Sequence, residues 1–391
     1  FASVVTSQSA VYEDLVVTAT KKESSLMETP AAIAAIAGDD LNNRGISDIS
    51  GLNQLTPDLV IAGEGHSRTN VRIRGIGTYG FTSSADPSSV LVIDGVAQPR
   101  ISSAKHAFRD LERIEILKGP QGALYGTNAL GGIINIVTKK PIGGESGSYS
   151  IATGNNDDSD ISLSLETDLS DSTSVRISLA RGYDAGLAYE ELTGRDDGVE
   201  YTFGRVALFG TYDNGTEWSS SFSHSKDNQY AAVSEQDFLC NSTNAASDLL
   251  IVAAVAPLGS AFCSSVNNST AKSDIVKRGQ ADLTNAVVKA SLASKYGQPM
   301  NIPGYNFSEL MNFSYNAKMS LNDMTLTGLL GYNKVNSGEE RDFDATTINA
   351  LNQGHHASSD TATIELRLDS DPSIRTPWSV GVYVMRDHGY R

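Results

Sequence analysis

The chain has 391 residues, enough for two or more domains, and carries 46 acidic against 30 basic side chains, for a net charge of −16. This balance excludes a clustered basic surface that could neutralise phosphates, so we expect no nucleic-acid partner. No run approaches the roughly 18 consecutive apolar residues of a transmembrane helix. A β-barrel is not excluded, because its signal lies in short alternating strands.

Residues 1–25 are small and polar apart from one short apolar run, Leu15 to Ala19, and we expect this segment to be flexible. The chain opens with Phe1 rather than methionine, so we expect that an upstream signal peptide has been removed.

Residues 26–142 have the mixed pattern of a compact α/β domain. The pattern predicts helices over residues 38–45 and 47–55, with Pro57 beyond the second. Apolar runs predict strands at 71–74, 90–94, 114–117 and 133–138. In the third strand Ile114 and Ile116 alternate with Arg113 and Glu115, so we expect one of its faces to be exposed.

Residues 75–80 read GIGTYG directly after a predicted strand, and Asp94 follows nineteen residues after Gly75. This spacing imitates the dinucleotide-binding fingerprint and raises an NAD-dependent oxidoreductase as an alternative. The fingerprint needs a helix whose N-terminus faces the pyrophosphate. Only residues 81–89 separate the glycines from the next strand, so we expect no cofactor site.

After residue 147 apolar and polar residues alternate along many segments, for example Ile161, Leu163 and Leu165, then Val175, Ile177 and Leu179. Short polar turns at 169–172, 213–215, 320–323 and 369–373 alternate with long connections at 183–200, 229–307 and 336–358. This rhythm is typical of a transmembrane β-barrel. We expect the two apolar sets to face lipid, and Ser162, Ser164, Arg176 and Ser178 to face the lumen.

The pattern gives about nine strands, whereas plugged transporters have about 22. Nine strands would leave two unpaired edges in lipid. We therefore expect residues 147–391 to be the N-terminal part of an incomplete barrel.

Residues 113–139 read RIEILKGPQGALYGTNALGGIINIVTK. This run resembles the end of the plug domain of TonB-dependent outer-membrane receptors at nearly every signature position. Specific motifs carry the resemblance over residues 12–142. Over the rest of the chain, it rests on the alternation of apolar and polar residues alone. It implies an α/β plug domain, residues 26–142, inside a transmembrane antiparallel β-barrel in the outer membrane of a Gram-negative bacterium.

The segment YEDLVVTAT resembles the TonB box, although Leu15 stands where many members carry Thr. The resemblance implies that the periplasmic C-terminal domain of TonB binds Asp14, Leu15, Val16, Val17, Thr18 and Ala19. Such an extended segment can add a strand to the edge of a partner's sheet. The alternative is that these residues form the first strand of the plug.

The resemblance also places two plug loops at the apex that faces an external small-molecule or metal-chelate substrate. The candidate binding residues there are His66, Arg68, Tyr79 and Phe81, each of which could equally be an ordinary loop residue. His355 and His356 could help to bind a metal complex. We expect no resident metal or cofactor. Cys240 and Cys263 lie in one polar segment, where we expect a disulfide.

The function implied by the resemblance is energised import of a scarce substrate across the outer membrane. A ferric siderophore is the first expectation; haem, cobalamin and an oligosaccharide are the others. No catalytic motif stands out, so we expect no enzyme. The alternative is a plugged barrel with a structural or adhesive role in an outer-membrane complex.

Overall fold

The computed structural model describes residues 16–18, 21–27, 29–46, 48–62, 69–78, 87–98, 100, 108–126, 128–184, 189–190, 195–196, 198–230, 305–342 and 352–390. Within these ranges an N-terminal α/β domain, the plug, lies against the concave side of a large antiparallel sheet. Among the described residues no helix combines the length and hydropathy needed to cross a bilayer.

The core of the plug is a five-stranded mixed sheet. Its order is β3 (Ile33–Ala37), β9 (Leu111–Lys118), β10 (Gly132–Thr138), β7 (Ser89–Ile93) and β8 (Val96–Gln98). Strand β10 pairs parallel to β7 and antiparallel to β9. Its alternating isoleucines, with those of β9, are almost fully buried and form the centre of the hydrophobic core. The predicted strands at 71–74, 90–94, 114–117 and 133–138 are therefore confirmed, within one to three residues at their ends.

Smaller elements complete the plug. They are β1 (Val16–Val17) paired with β2 (Ser24–Ser25), helices α1 (Gly38–Asn43) and α2 (Gly122–Tyr125), and the small sheet β4 (Leu59–Ala62), β5 (Asn70–Ile73) and β6 (Ile76–Gly77). The predicted helix over 47–55 is a 3-10 helix, Ile49–Gln54. Its N-terminus is capped by the Asp48 carboxylate, which accepts from the backbone N–H groups of Ser50 and Gly51.

The glycine fingerprint at 75–80 begins in a tight turn between β5 and β6, where Arg74 and Gly75 have φ of 52° and 79°. Asp94 occupies a second turn, after β7, and its carboxylate is already engaged. It accepts from the backbone N–H of Thr138 at 2.9 Å and from the Thr138 hydroxyl at 2.8 Å. This supports the expectation that the motif is structural.

The large sheet has nine described strands, each antiparallel to its neighbour in the chain order β11-β12-β13-β16-β17-β18-β19-β20-β21. Their bounds are β11 (Ser146–Thr153), β12 (Ser159–Ser170), β13 (Thr173–Asp184), β16 (Val199–Thr211), β17 (Glu217–Tyr230), β18 (Tyr305–Leu321), β19 (Met324–Asp342), β20 (Asn352–Ser370) and β21 (Ser379–Tyr390). A separate short hairpin, β14 (Tyr189–Glu190) with β15 (Arg195–Asp196), lies between β13 and β16.

The predicted short turns are confirmed, but the strands are longer than the pattern indicated. Strands β19 and β20 each run for 19 residues, so most of the predicted connection at 336–358 belongs to them. His355 and His356 consequently lie in a strand rather than in a long loop. The inner face of this hairpin continues with polar residues such as Ser337 and Ser359. A prediction based on the apolar residues alone therefore made the two strands too short.

Alternate residues of the sheet face opposite sides, as predicted. Ile161, Leu163, Leu165, Ile177 and Leu179 are all exposed on the outer side. Arg176 is turned inward, where it contacts the plug. Val175 is the exception to the predicted exposure. It occupies an outer-face position opposite Leu208 and Thr167, yet its side chain is only 9% exposed.

The inner side of the sheet packs directly on the plug. Leu310 of β18 and Val335 of β19 belong to the same hydrophobic cluster as the plug isoleucines. On strand β8, Gln98 Nε2 donates to Asn312 Oδ1 at 3.0 Å, and the Ala97 carbonyl accepts from Asn333 Nδ2 at 3.3 Å. The plug is therefore held inside the curve of the sheet.

Candidate docking site of the N-terminal segment

The predicted flexible segment, residues 1–25, has an ordered part that is docked on the plug. Val17 is fully buried, and β1 pairs with β2 in the register Val16 to Ser25 and Val17 to Ser24. Val16 keeps about half of its side chain exposed. The expectation of flexibility is therefore wrong for these residues, because burial of Val17 and a short strand pairing stabilise them.

Thr18 is held by a buried carboxylate of strand β9. Its backbone N–H donates to both Glu115 oxygens, at 2.9 and 3.0 Å, and its hydroxyl donates to Glu115 Oε1 at 3.2 Å. Arg113 Nη2 donates to the Thr18 hydroxyl oxygen at 3.2 Å. Hydrogen bonds to a charged acceptor are among the stronger ones in proteins.

The Glu115 carboxylate is stabilised by two further plug residues. Arg113 Nε donates to Oε1 at 2.8 Å, and Asn135 Nδ2 donates to Oε2 at 3.1 Å. Glu115 is fully buried and Arg113 nearly so. The expectation that β9 exposes its charged face is therefore wrong. That face is covered because it holds the N-terminal segment, and each buried charge has a partner, as burial requires.

Lys21 connects the same segment to both the plug and the sheet. Its ammonium group forms an ion pair with the buried Glu365 of β20. It also lies 4.8 Å from the ring centroid of Tyr125 and 5.3 Å from that of Tyr383. Burial, followed by the charges of Glu115 and Glu365, raises the pKa of the Tyr125 phenol, so this ring stays neutral.

Three further contacts extend this attachment along β18 and β20. Arg367 Nη2 donates to the Lys21 carbonyl at 2.6 Å, and Lys22 lies 3.3 Å from Asp369. Glu23 lies 3.6 Å from Lys318, and both side chains are about half exposed. The exposed Glu23–Lys318 pair contributes little stability, whereas the bond from Arg367 is charge-assisted and largely buried, so Glu115, Lys21 and Arg367 dominate the attachment.

A second ionic cluster joins the plug to the sheet at Asp110, just before β9. Arg176 Nη2 lies 2.7 Å from Asp110 Oδ1, Arg205 Nη2 lies 3.1 Å from Oδ2, and the Ser178 hydroxyl donates to Oδ2 at 2.5 Å. Burial alone would raise the pKa of Asp110, but the bonds from Arg176 and Ser178 and the charge of Arg205 lower it below its usual value.

Of the residues predicted to bind TonB, the structure describes Val16, Val17 and Thr18. Asp14, Leu15 and Ala19 lie outside the described residues. The same holds for the candidate substrate contacts His66, Arg68, Tyr79 and Phe81, and for Cys240 and Cys263. Within the described part of the chain, no group of three or more His, Cys, Asp and Glu side chains could hold a metal ion.

Sequence reasoning did not identify Glu115, Arg113, Asn135 and Lys21 as parts of one site. Its one available signal was the presence of charged and amide side chains within otherwise apolar strands of the plug. Such side chains are buried only when they are paired, which marks them as partners of something else in the fold. The sequence does not say which segment they pair with.

Residues 25–133 match the family of the TonB-dependent Receptor Plug Domain. This match includes Arg113 and Glu115, which hold Thr18. Residues 25–133 are a plug domain of the TonB-dependent receptor family.

Two bacterial proteins are similar to this chain over about half of its length. The pesticin receptor of Yersinia pestis is 30% identical over 220 residues, which cover 54% of this chain and 32% of that protein. The iron-regulated outer membrane virulence protein of Vibrio cholerae is 27% identical over 215 residues, 50% of this chain and 30% of that protein. The alignments span about a third of each relative's length.

The fold is similar to that of solved receptors. The ferric yersiniabactin uptake receptor of Yersinia pestis superposes with a TM-score of 0.69 at 18% identity, covering 92% of this chain and 49% of that one. The ferric-catecholate import receptor Fiu of E. coli K12 superposes with a TM-score of 0.63 at 14% identity, covering 95% and 52%. The chain thus comprises a plug and part of a barrel, as predicted, and its place is the outer membrane of a Gram-negative bacterium.

Proposed function

We propose that this chain is part of an outer-membrane transporter that imports a scarce external substrate to the periplasm with energy transmitted by TonB. In this proposal the segment around Val16, Val17 and Thr18 is the one that TonB captures. The observation that carries it is the docking of Thr18 on Glu115, because this buried carboxylate occupies the backbone N–H with which TonB would have to pair.

The docked geometry supports a release mechanism. Val17 is buried and Thr18 is occupied by Glu115, so the backbone of this segment cannot pair with a partner's sheet while it is docked. Substrate binding at the apex would favour the undocked state only if the receptor binds the substrate more tightly in the undocked than in the docked state. TonB would then pair with the released segment and pull on the plug.

A ferric siderophore is the substrate class we favour. Similar proteins include the ferripyoverdine receptor of Pseudomonas aeruginosa and the ferric yersiniabactin uptake receptor of Yersinia pestis. Cobalamin is the second class, since the vitamin B12 transporter of Vibrio vulnificus is 27% identical over 210 residues. Haem and oligosaccharides are further classes, and a structural or adhesive role is the alternative function.

The proposal is tested with Val17→Pro in the full receptor in cells. Proline removes the backbone N–H and restricts the preceding residue, so the segment cannot pair with TonB as a strand. We expect energised uptake of iron-labelled siderophore to be lost, while binding to de-energised cells is unchanged, because the apex lies at the opposite end of the plug. Normal uptake would contradict the assignment of this segment.

A matched variant separates loss of pairing from loss of docking. Val17 is fully buried, so Val17→Pro disturbs the docked state as well. Val17→Ala also removes buried side-chain volume but keeps the N–H, and we expect it to retain uptake. If Val17→Ala abolished uptake as completely as Val17→Pro, the defect would come from lost docking rather than from lost pairing with TonB.

A further inference from the structure

Strands β17 and β18 present neutral polar side chains to the plug. In the strand register their inward positions are cross-strand partners, as Ser221 is with Ser314 and Ser223 with Asn312. The inward positions of the middle of β17 are all serines, and five of six on β18 are serine or asparagine: Ser219, Ser221, Ser223 and Ser225, then Asn306, Ser308, Leu310, Asn312, Ser314 and Asn316. We call these ten residues the neutral track.

The neutral track is long enough to cross the membrane. Asn306 and Asn316 lie ten residues apart on β18, which at roughly 3.3 Å per residue and a strand tilt of about 40° amounts to roughly 25 Å along the membrane normal. The apolar band of such barrels is about as tall. The track carries no acidic or basic side chain. Passage through a pore requires contacts that are weak at each point, and hydroxyl and amide groups without charge provide them.

The plug contacts the neutral track through uncharged hydrogen bonds. Gln98 Nε2 donates to Asn312 Oδ1 at 3.0 Å, and Asn316 Nδ2 donates to the Asp94 carbonyl at 3.3 Å. Such bonds are weaker than charge-assisted ones. Within the described part of the chain, the buried Gln98 Oε1 and Ser308 Oγ make no hydrogen bond. Buried polar atoms without partners destabilise the closed arrangement, and water would satisfy them once the plug moved away.

The barrel wall on either side of the track holds the plug by charge. Towards β12 and β16, Arg109 Nη1 lies 2.9 Å from Asp160 Oδ2, and its guanidinium carbon lies 4.5 Å from the ring centroid of Tyr201. The Tyr201 hydroxyl donates to the same carboxylate. Towards β21, Arg100 lies 3.9 Å from Asp387. The neutral track therefore lies between two stretches of wall that attach the plug through arginines.

We propose that the imported substrate passes between strand β8 and the neutral track, while the plug stays attached to the charged wall at β12 and β16. The inference rests on the proposed function, because it names the route of the imported substrate. The chemistry that fits this route is a polar chelate rich in hydrogen-bonding groups, since serine and asparagine side chains both donate and accept hydrogen bonds.

The first test fixes one contact at a time in the full receptor in cells. Gln98→Cys with Asn312→Cys, joined by a short bis-methanethiosulfonate cross-linker, holds β8 against the track. Arg109→Cys with Asp160→Cys, joined in the same way, is the matched control on the charged wall. Energised uptake is followed with radioactive iron loaded onto the siderophores of iron-starved culture medium. We expect the first cross-link to abolish uptake until a reductant opens it, and the second to leave uptake unchanged.

The second test needs no cross-link. Ser221 on the track and Ala180 on β13 both face inward, and each side chain is 8% exposed. Cysteines at these two positions should therefore be similarly protected from a small, impermeant methanethiosulfonate reagent in de-energised cells. We expect labelling of Ser221→Cys to become several-fold faster in cells that import the iron complex, and labelling of Ala180→Cys to stay unchanged.

The unmodified receptor is treated in parallel and separates the two proposals. If it imports no iron complex, the proposed function fails, and the route fails with it. If it imports, the route is overturned when the cross-link at β8 leaves uptake intact or when the two cysteines are labelled alike. Loss of uptake with both cross-links would also overturn it, because the plug would then have to leave the barrel as a whole.

Discussion

The backbone N–H of Thr18 lies 2.9 and 3.0 Å from the two carboxylate oxygens of Glu115, a residue 97 positions further along the chain. This contact joins the segment that resembles a TonB box to the central sheet of the plug. The same sheet continues to Asp110, where two arginines of the barrel wall hold the plug in place. A force on Thr18 is therefore transmitted to β9, whose N-terminal end is anchored to the barrel wall through Asp110.

Replacing Glu115 should release the segment. Glu115→Gln removes the charge that Thr18 and Arg113 share, and a hydrogen bond to a charged group contributes roughly 1.5–3 kcal/mol. We expect a spin label at Val16 to shift from immobilised to mobile, by a factor of about 10–100 in the population ratio. Asp40→Asn is the control, because Asp40 is exposed in the first turn of helix α1, outside the contacts that hold Thr18. An unchanged spectrum for Glu115→Gln would exclude Glu115 as the holding group.

Lys21 and Glu365 should be energetically coupled. Both side chains are largely buried, so their ion pair is poorly screened by solvent and salt, and Arg367 pairs with the other oxygen of Glu365 at 3.2 Å. We expect a double-mutant cycle with Lys21→Met and Glu365→Gln, read from the same spin label, to give a coupling of about 0.5–3 kcal/mol. The exposed pair Glu23 and Lys318 is the comparison and should give under about 1 kcal/mol. Equal couplings for the two pairs would contradict the dominant role of Lys21.

Much of the plug could be predicted because its strands are apolar runs bounded by glycines and proline, as in residues 113–139. Barrel strands such as β12 and β13 followed from strict alternation. The docking of Val17 could not be predicted, since a short run of valines fits a free tail and a buried strand equally well. Glu115 alternates with apolar residues along β9, and this alternation predicted an exposed face. Glu115 is buried because Thr18 contacts it, and only the folded structure shows that contact.

Asp110 should make the attachment of the plug depend on pH. Its folded-state pKa is lowered, so its contribution is present at neutral pH and is lost as the pH falls through the usual value of 3.8 towards the folded value. Asp110→Asn leaves the buried Arg205 without the carboxylate that it contacts at 3.1 Å, while Arg176 keeps Glu166, and the change should cost about 3–5 kcal/mol at pH 7. Urea unfolding, followed by a fluorophore on Leu124→Cys, measures this difference.

The difference between Asp110→Asn and the unmodified receptor should begin to shrink as the pH falls below about 4, where Asp110 becomes protonated in the unfolded chain. It should level off below the lowered folded-state pKa, where Asp110 is protonated in both states. A difference that stayed constant from pH 7 to below the folded pKa would show that Asp110 acts through packing rather than through its charge.

Cys240 and Cys263 remain a predicted disulfide. They lie in one polar segment of the sequence, a long connection that we expect to face the outside, where oxidation is allowed. Closing this loop should stabilise the segment by about 3 kcal/mol. Peptide mapping of the non-reduced receptor by mass spectrometry should recover the two cysteines in one cross-linked peptide. Recovery of both as free thiols from freshly prepared outer membranes would exclude the bond.

The central claim is that the segment around Val17 must leave its docked position for transport. Lys21 of the segment contacts Glu365 of β20, so Lys21→Cys with Glu365→Cys can be joined by a short bis-methanethiosulfonate cross-linker, whose disulfides fix the segment to the barrel wall until a reductant opens them. With the unmodified receptor treated in parallel, we expect the cross-linked (locked) variant to bind siderophore normally but not to import it, and import to return on reduction. Equal import by the locked and the reduced receptor would contradict the account.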